Sequence, residues 1–142
     1  MASLEISGMD ELNAAFGRIA DIPDGVTTRA LNEMAEIAAK EIKASGESMG
    51  VRDPESDVHI LDKIKPTKVK LTESGGYQDI TFSGTRKRGD KRVPNALIAF
   101  VNEFGTDKQD ARPFVGKAMN SHGEKIADTG GKVIGDWIEK NF

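Results

Sequence analysis

Two groups of residues have the types and spacing to do chemistry. Asp53, Glu55, Asp57 and His59 alternate along one stretch, so that several oxygens and an imidazole could be aimed at a metal ion. A calcium loop of the EF-hand kind would need Gly at its sixth position and Glu at its twelfth. Counted from Asp53 these are Val58 and Ile64, which excludes that loop. The second group is basic: Arg86, Lys87, Arg88, Lys91 and Arg92 lie within the 84–94 segment. Five cations so close together suit phosphate oxygens, an acidic face on a neighbouring protein, or plain solvent. The basic run itself contains no aromatic, with only Tyr77 and Phe82 on the hairpin before it, so single-strand base stacking is poorly supported. The two histidines, His59 and His122, lie in no nucleophile or metal motif, and there is no cysteine. Gly75-Gly76 and Gly130-Gly131 lack the further glycine and the lysine of a phosphate-cradling loop. The expectation is a protein that is not an enzyme, with no metal, no cofactor and no small-molecule substrate.

The chain that must position these groups has 142 residues, one domain's worth, 37% hydrophobic and 30% charged. Twenty basic against 23 acidic residues leave a net charge of −3, which argues against a surface built wholly for nucleic acid. With no cysteine, disulfides and thiolate metal sites are excluded. No apolar run approaches the length needed to span a bilayer, and the first residues lack the basic and apolar regions of a secretory signal.

Periodicity predicts the elements. Leu4-Glu5-Ile6 alternates and suits an edge strand, and Leu12, Ala15, Phe16 and Ile19 then recur at helical spacing after a capping Ser7. A longer helix is predicted from about Val26 to Ala44, with Leu31, Met34, Ala35, Ala38 and Ile42 as its apolar stripe and Gly46 as its stop. Segment 46–59, rich in small and polar residues, reads as a mobile loop, and Leu61 to Ile64 as one helical turn. The period then becomes two. Val69 and Leu71, then Ile80 and Phe82, alternate with polar residues on either side of Gly75-Gly76, which predicts a β-hairpin over 67–83 with those four side chains buried. A second mobile loop is expected at 84–94. Leu97, Phe100, Val101 and Phe104 fall at i, i+3, i+4 and i+7, which predicts a helix with that stripe on the core. Gly105 suits its end and Pro113 the start of the next helix. Across this corner Glu103 and Arg112 are placed to pair. In the last helix Ile126, Val133, Ile134, Trp137 and Ile138 share a face, which the glycines at 116, 123, 130 and 131 weaken. Trp137, Ile138 and Phe142 either cover the hairpin or anchor an interface. The fold class expected is α+β: one domain over 1–142, a small antiparallel sheet built on a central hairpin, packed against N-terminal helices and a C-terminal helix.

The segments Glu103-Phe104-Gly105-Thr106 and Ala111-Arg112-Pro113-Phe114, with Ala118 after them, resemble the HK-ninety-seven gene-ten-like family of tailed-bacteriophage neck or tail-completion proteins. Ile6-Ser7-Gly8-Met9-Asp10-Glu11-Leu12 and Leu61-Asp62-Lys63-Ile64 are similar to its opening segment and to its step into the hairpin. The proline and Thr-Gly pair usual before that step are replaced here by the 49–57 segment. The resemblance implies a structural virion protein with no enzymatic activity. Such a subunit forms a ring with copies of itself at the head–tail junction of a long-tailed phage or prophage, beside other connector or tail proteins, after accumulating in the host cytoplasm. In such a ring Leu4 and Ile6 could pair with a neighbour's hairpin edge. The basic 86–92 segment would dock on another ring or touch DNA passively in the channel. The alternative is a small nucleic-acid-binding module that uses the same basic segment.

Overall fold

A computed structural model describes residues 22–53 and 58–142. The expected strand at Leu4 and Ile6, the helix around Leu12–Ile19, and Glu55 and Asp57 all lie outside the described residues. The elements are α1 (Asp24–Ser48), a 3-10 turn (Ile60–Lys63), β1 (Ile64–Pro66), β2 (Lys70–Thr72), β3 (Gly75–Tyr77), β4 (Ile80–Phe82), β5 (Thr85–Arg88), β6 (Lys91–Pro94), α2 (Asn95–Phe104) and α3 (Phe114–Asn141). The fold is α+β, with small antiparallel pairs of strands set against helices. No described helix is long and apolar enough to cross a membrane.

The two long helices run antiparallel. Ser45 Oγ donates to the carbonyl of Phe114 (2.8 Å), Glu41 meets His122 at 3.0 Å, and a Cβ on Gly130 would strike Met34, so numbers fall along one helix as they rise along the other. Of the predicted α1 stripe Ala35, Ala38 and Ile42 are buried and Leu31 and Met34 half-buried; Ala30, outside that stripe, is buried too, as are Ala118, Ile126 and Val133 of α3. The small residues let the two axes approach closely. Gly46 is not the stop. It is buried inside α1, where a Cβ would lie 2.5 Å from Leu61 Cδ2 and 3.2 Å from the Phe114 ring. The helix ends two residues later, and Gly50 with φ 65° turns the chain. The glycines of α3 do not interrupt it: it runs unbroken for 28 residues, since packing against α1 outweighs their weak propensity.

The hairpin is real but differently registered. Its outer ladder pairs Ile64 with Phe82 and Pro66 with Ile80, and its inner ladder pairs Lys70 with Tyr77 and Thr72 with Gly75. Gly75-Gly76 therefore opens β3, and the turn is Glu73-Ser74. Between the ladders the break is stitched by Thr67 N to Asp79 O (2.8 Å) and by Gln78 Nε2, which donates to Thr67 O (2.8 Å) and to Asn32 Oδ1 on α1 (3.0 Å). Val69, Ile80 and Phe82 are half-buried, but Leu71 is 44% exposed. The extra residue in one arm of the break places Leu71 outside the expected buried row.

The main core gathers Ile42, Val51, Ile60, Leu61, Ile98, Ala99, Phe114 and Ala118, with Phe82 edge-on to Phe114 at 5.8 Å. Segment 46–59 is thus partly built into the fold: its first residues finish α1 and Val51 is buried. His59 caps the 3-10 turn by accepting from Leu61 N (3.2 Å), and Lys43 ties α1 to that turn through Asp62 at 3.0 Å. The hydrogen bond and charge of Asp62 raise the Lys43 ammonium above its ordinary value. Segment 84–94 is also not a loop. It is the hairpin β5–β6, turned at Gly89-Asp90.

Phe114→Ala, which empties a fully buried site, should destabilise the domain by about 3–5 kcal/mol. Leu71→Ser should change stability by less than about 0.5 kcal/mol. Chemical denaturation of both variants tests the observed register, because the sequence-predicted one makes Leu71 costly too.

Candidate functional site

The site grows from the way α2 is held. Two sets of α2 residues recur at i, i+3, i+4 and i+7: Leu97, Phe100, Val101 and Phe104, and Asn95, Ile98, Ala99 and Asn102. The second set is buried, contrary to the sequence expectation that the more apolar set faces the core. Leu97 is 50% exposed, Phe100 58% and Phe104 67%. Phe100 and Phe104 lie against one another, ring centres 4.7 Å apart, on the outer surface.

The asparagines explain the choice. Asn102 is fully buried, and its side chain bonds the Arg52 backbone in both directions, accepting from Arg52 N (2.8 Å) and donating to Arg52 O (2.7 Å). It also donates to Ile98 O (2.9 Å) and accepts from Gln109 Nε2 (3.3 Å), and its own carbonyl accepts from Arg112 N at 2.5 Å. Asn95, also fully buried, donates to Ser83 O (2.8 Å) and accepts from Arg86 Nε (2.7 Å). Burying each phenyl ring would gain about 1.5–3 kcal/mol, and each polar group at Arg52, Ser83 and Arg86 left unpaired beneath the helix would cost about 1–3 kcal/mol, so the set of bonds offsets the two rings left outside.

The corner after α2 is built on the predicted residues, but with different partners. Gly105 closes α2, its N–H donating to Val101 O (2.8 Å). Its φ of 75° and ψ of 178° lie in a region open to glycine almost alone, and a Cβ there would stand 2.7 Å from Ala111 N. Thr106 and Gln109 form a one-bridge turn. Glu103 and Arg112 do not pair. The Glu103 carboxylate instead accepts from the N–H groups of Val115 (2.8 Å) and Gly116 (2.9 Å), capping α3. Pro113, as N-cap, has no side-chain acceptor, so the positive end of the helix draws its anion from α2. Arg112 keeps one buried guanidinium nitrogen, Nη1, without a partner, and nothing in the structure explains it.

The basic residues divide into one that is structural and four that face solvent. Arg86, only 10% exposed at its side chain, bonds Asp53 Oδ1 through Nη1 and Val58 O through Nη2 (3.2 Å), as well as Asn95. Asp53 also accepts from Ile60 N (2.5 Å) and lies 3.7 Å from His59 Nδ1. Asp53, singled out by its metal-ligand spacing, is thus neutralised by Arg86 and anchors β5 to the 3-10 turn. Lys87, Arg88, Lys91 and Arg92 remain exposed. Lys87 stands across the ladder from Arg92, and Arg88 from Lys91. Like charges in directly opposed positions repel, and an anionic neighbour would relieve this.

Between β5–β6 and α2 lies a cleft of about 240 Å³, with Val93, Leu97, Ile98 and Val101 as its apolar walls and Arg52 and Arg88 among its polar ones. It runs into the exposed stripe. At the far end of α3 Trp137 and Ile138 are half-buried, with Phe142 edge-on to Trp137 at 6.0 Å. Among the described residues no three His, Asp or Glu side chains converge as a metal site would need. Sequence reasoning missed Asn95 and Asn102. Their signal was their spacing, seven apart on the face that also carries Ile98 and Ala99.

Comparison with protein-family models, with curated proteins and with solved structures returns no significant match.

Asn102→Leu, which keeps the volume but removes the bonds to Arg52 and Ile98, should cost about 2–4 kcal/mol. The expected fall in Tm is roughly 5–15 °C. If Asn102 were merely tolerated in the core, the added apolar surface would raise Tm.

Proposed function

We propose that this chain is a structural subunit that works by assembly, as part of a neck or tail-completion ring joining head and tail in a long-tailed phage or prophage. The observation that carries the reading is the outward stripe Leu97, Phe100 and Phe104, held out of the core by buried asparagines. Large adjoining apolar side chains left on a surface by a specific polar device mark a face meant for another protein. The resemblance of the 103–106 and 111–114 segments supplies the biological setting. Copies placed head to tail around an axis would close a ring through one repeated interface. On this reading the protein performs no catalysis, its partners are its own copies and the adjoining connector or tail proteins, and it resides at the head–tail junction of the virion.

Deleting the gene from the phage should yield DNA-filled heads and finished tails that stay apart, with plaque counts reduced by several orders of magnitude. Electron microscopy of lysates reads this directly, and intact infectious particles would overturn the proposal.

The four exposed cations favour a second reading, a nucleic-acid-binding module. It predicts DNA affinity falling steeply with salt, with the slope reduced by roughly 0.9 for each cation removed. Lys87→Gln, Arg88→Gln, Lys91→Gln and Arg92→Gln, made together and titrated against duplex DNA, test it. Arg86 is left in place because it holds β5. Affinity and slope unchanged in the quadruple variant would end that reading.

A further inference from the structure

The stripe on α2 and the cleft beside it form one continuous surface with two chemical requirements. An occupant must bring apolar side chains at helical spacing to lie along Leu97, Phe100 and Phe104. It must also bring carboxylates to meet Arg52, Arg88 and the crowded cations of the β5–β6 hairpin. Resting on the assembly reading above, we propose that the occupant is the amino-terminal segment of a second copy of this chain, centred on residues 10–19.

The sequence of that segment meets both requirements. Leu12, Ala15, Phe16 and Ile19 recur at i, i+3, i+4 and i+7, the same spacing as Leu97, Phe100, Val101 and Phe104. Two such rows can interlock as ridges and grooves. Within the segment Asp10 and Glu11 stand against Arg18, and Glu5 and Asp21 flank it, so residues 1–21 carry four carboxylates against one cation. With Arg86 taken up by Asp53, the hairpin presents four exposed cations against Asp90, in a chain whose net charge is −3. The two surfaces are therefore opposite in sign as well as alike in apolar period, which favours this pairing over contact between two stripes of α2.

Reach argues for a second copy. Ile22 lies beside the β2–β3 turn, lining a cleft with Asp24, Thr27 and Thr72. The α2 stripe is attached at the other end of α1, through Arg52 and Asn102. The 25 residues of α1 separate the two ends by about 37 Å. If residues 12–19 take the helix that their spacing predicts and 20–21 are extended, Leu12 stands at most about 20–25 Å from Ile22. On the helical spacing read from the sequence, such a segment would fall short of its own stripe and would meet that of an adjacent copy. A contact of this kind runs from one end of each subunit to the opposite end of the next, and so propagates around a ring.

The test uses the full-length chain with Phe104→benzoylphenylalanine and, separately, Phe100→benzoylphenylalanine, both at exposed positions that leave the core intact. An equal mixture of ¹⁴N- and ¹⁵N-labelled protein is concentrated, irradiated and digested for mass spectrometry. The expected result is a chain-to-chain adduct of mixed label joining residue 104 or 100 to a peptide within residues 1–21. Its yield should fall roughly tenfold when Arg52→Glu and Arg88→Glu are added at low salt. Adducts within one copy, adducts to another region of the second copy, a yield indifferent to the charge reversal, or no adduct would each overturn the proposal. Its fate is separable from that of the virion reading. Rings or joined particles without this cross-link sink only the occupant, whereas the cross-link in a chain dispensable for head–tail joining sinks only the setting.

Discussion

The two-way bond between the Asn102 side chain and the Arg52 backbone decides which way α2 faces, and most of what is distinctive about the surface follows from that. A side-chain amide can imitate a strand partner, offering an acceptor and a donor side by side to one residue. Buried at the end of α2, it satisfies both backbone groups of Arg52, just past the end of α1, at the edge of the core. Once Asn102 is turned inward, Asn95 two turns earlier is turned inward as well. The more apolar stripe has nowhere to go but outward.

The same helix also organises its neighbours. Its last turn sends Glu103 to cap α3, so the direction of α2 fixes where the long C-terminal helix begins. Its first residue, Asn95, receives Arg86 from β5, and Arg86 in turn neutralises Asp53. A buried carboxylate and guanidinium are expensive to hold apart and are supported here by further bonds to Asn95, Val58 and Ile60. This polar network gives a small hairpin, unstable alone, a fixed place beside the cleft. A rigid pedestal results, with apolar side chains on its top and cations at its edge. Such preorganisation reduces the ordering penalty that any partner would meet on binding.

Elements whose burial depends on one dominant period were legible in the residues. The α1 stripe through Ala35, Ala38 and Ile42, the 3-10 turn near Leu61 and the helix opening after Pro113 all stand where the pattern places them, and the hairpin is present in a different register. Gly105 was legible too, although its backbone goes beyond the left-handed cap expected of it. The misplacements have one kind of cause. Leu71 left its row because the hairpin break shifts one arm, and Gly46 stayed within a helix because Leu61 and Phe114 need the space above it. Glu103 took the N–H groups of α3 in place of Arg112, because a helix start with unpaired donors lay within reach. Each outcome turned on a partner distant in the chain.

By itself the sequence determined the fold class, the cysteine-free chemistry, the period of the long helices, and the place of the corner between α2 and α3. These depend on local spacing, on backbone freedom and on side-chain type, all of which are properties of neighbours in the chain. The facing of α2, the capture of Arg86 by Asp53, and hence the exposed stripe with its basic rim were decided only by the tertiary structure. Two faces of α2 share one period, and hydrophobicity ranks them in the wrong order. The deciding free energy comes from hydrogen bonds to Arg52 and Ser83, which no local pattern encodes.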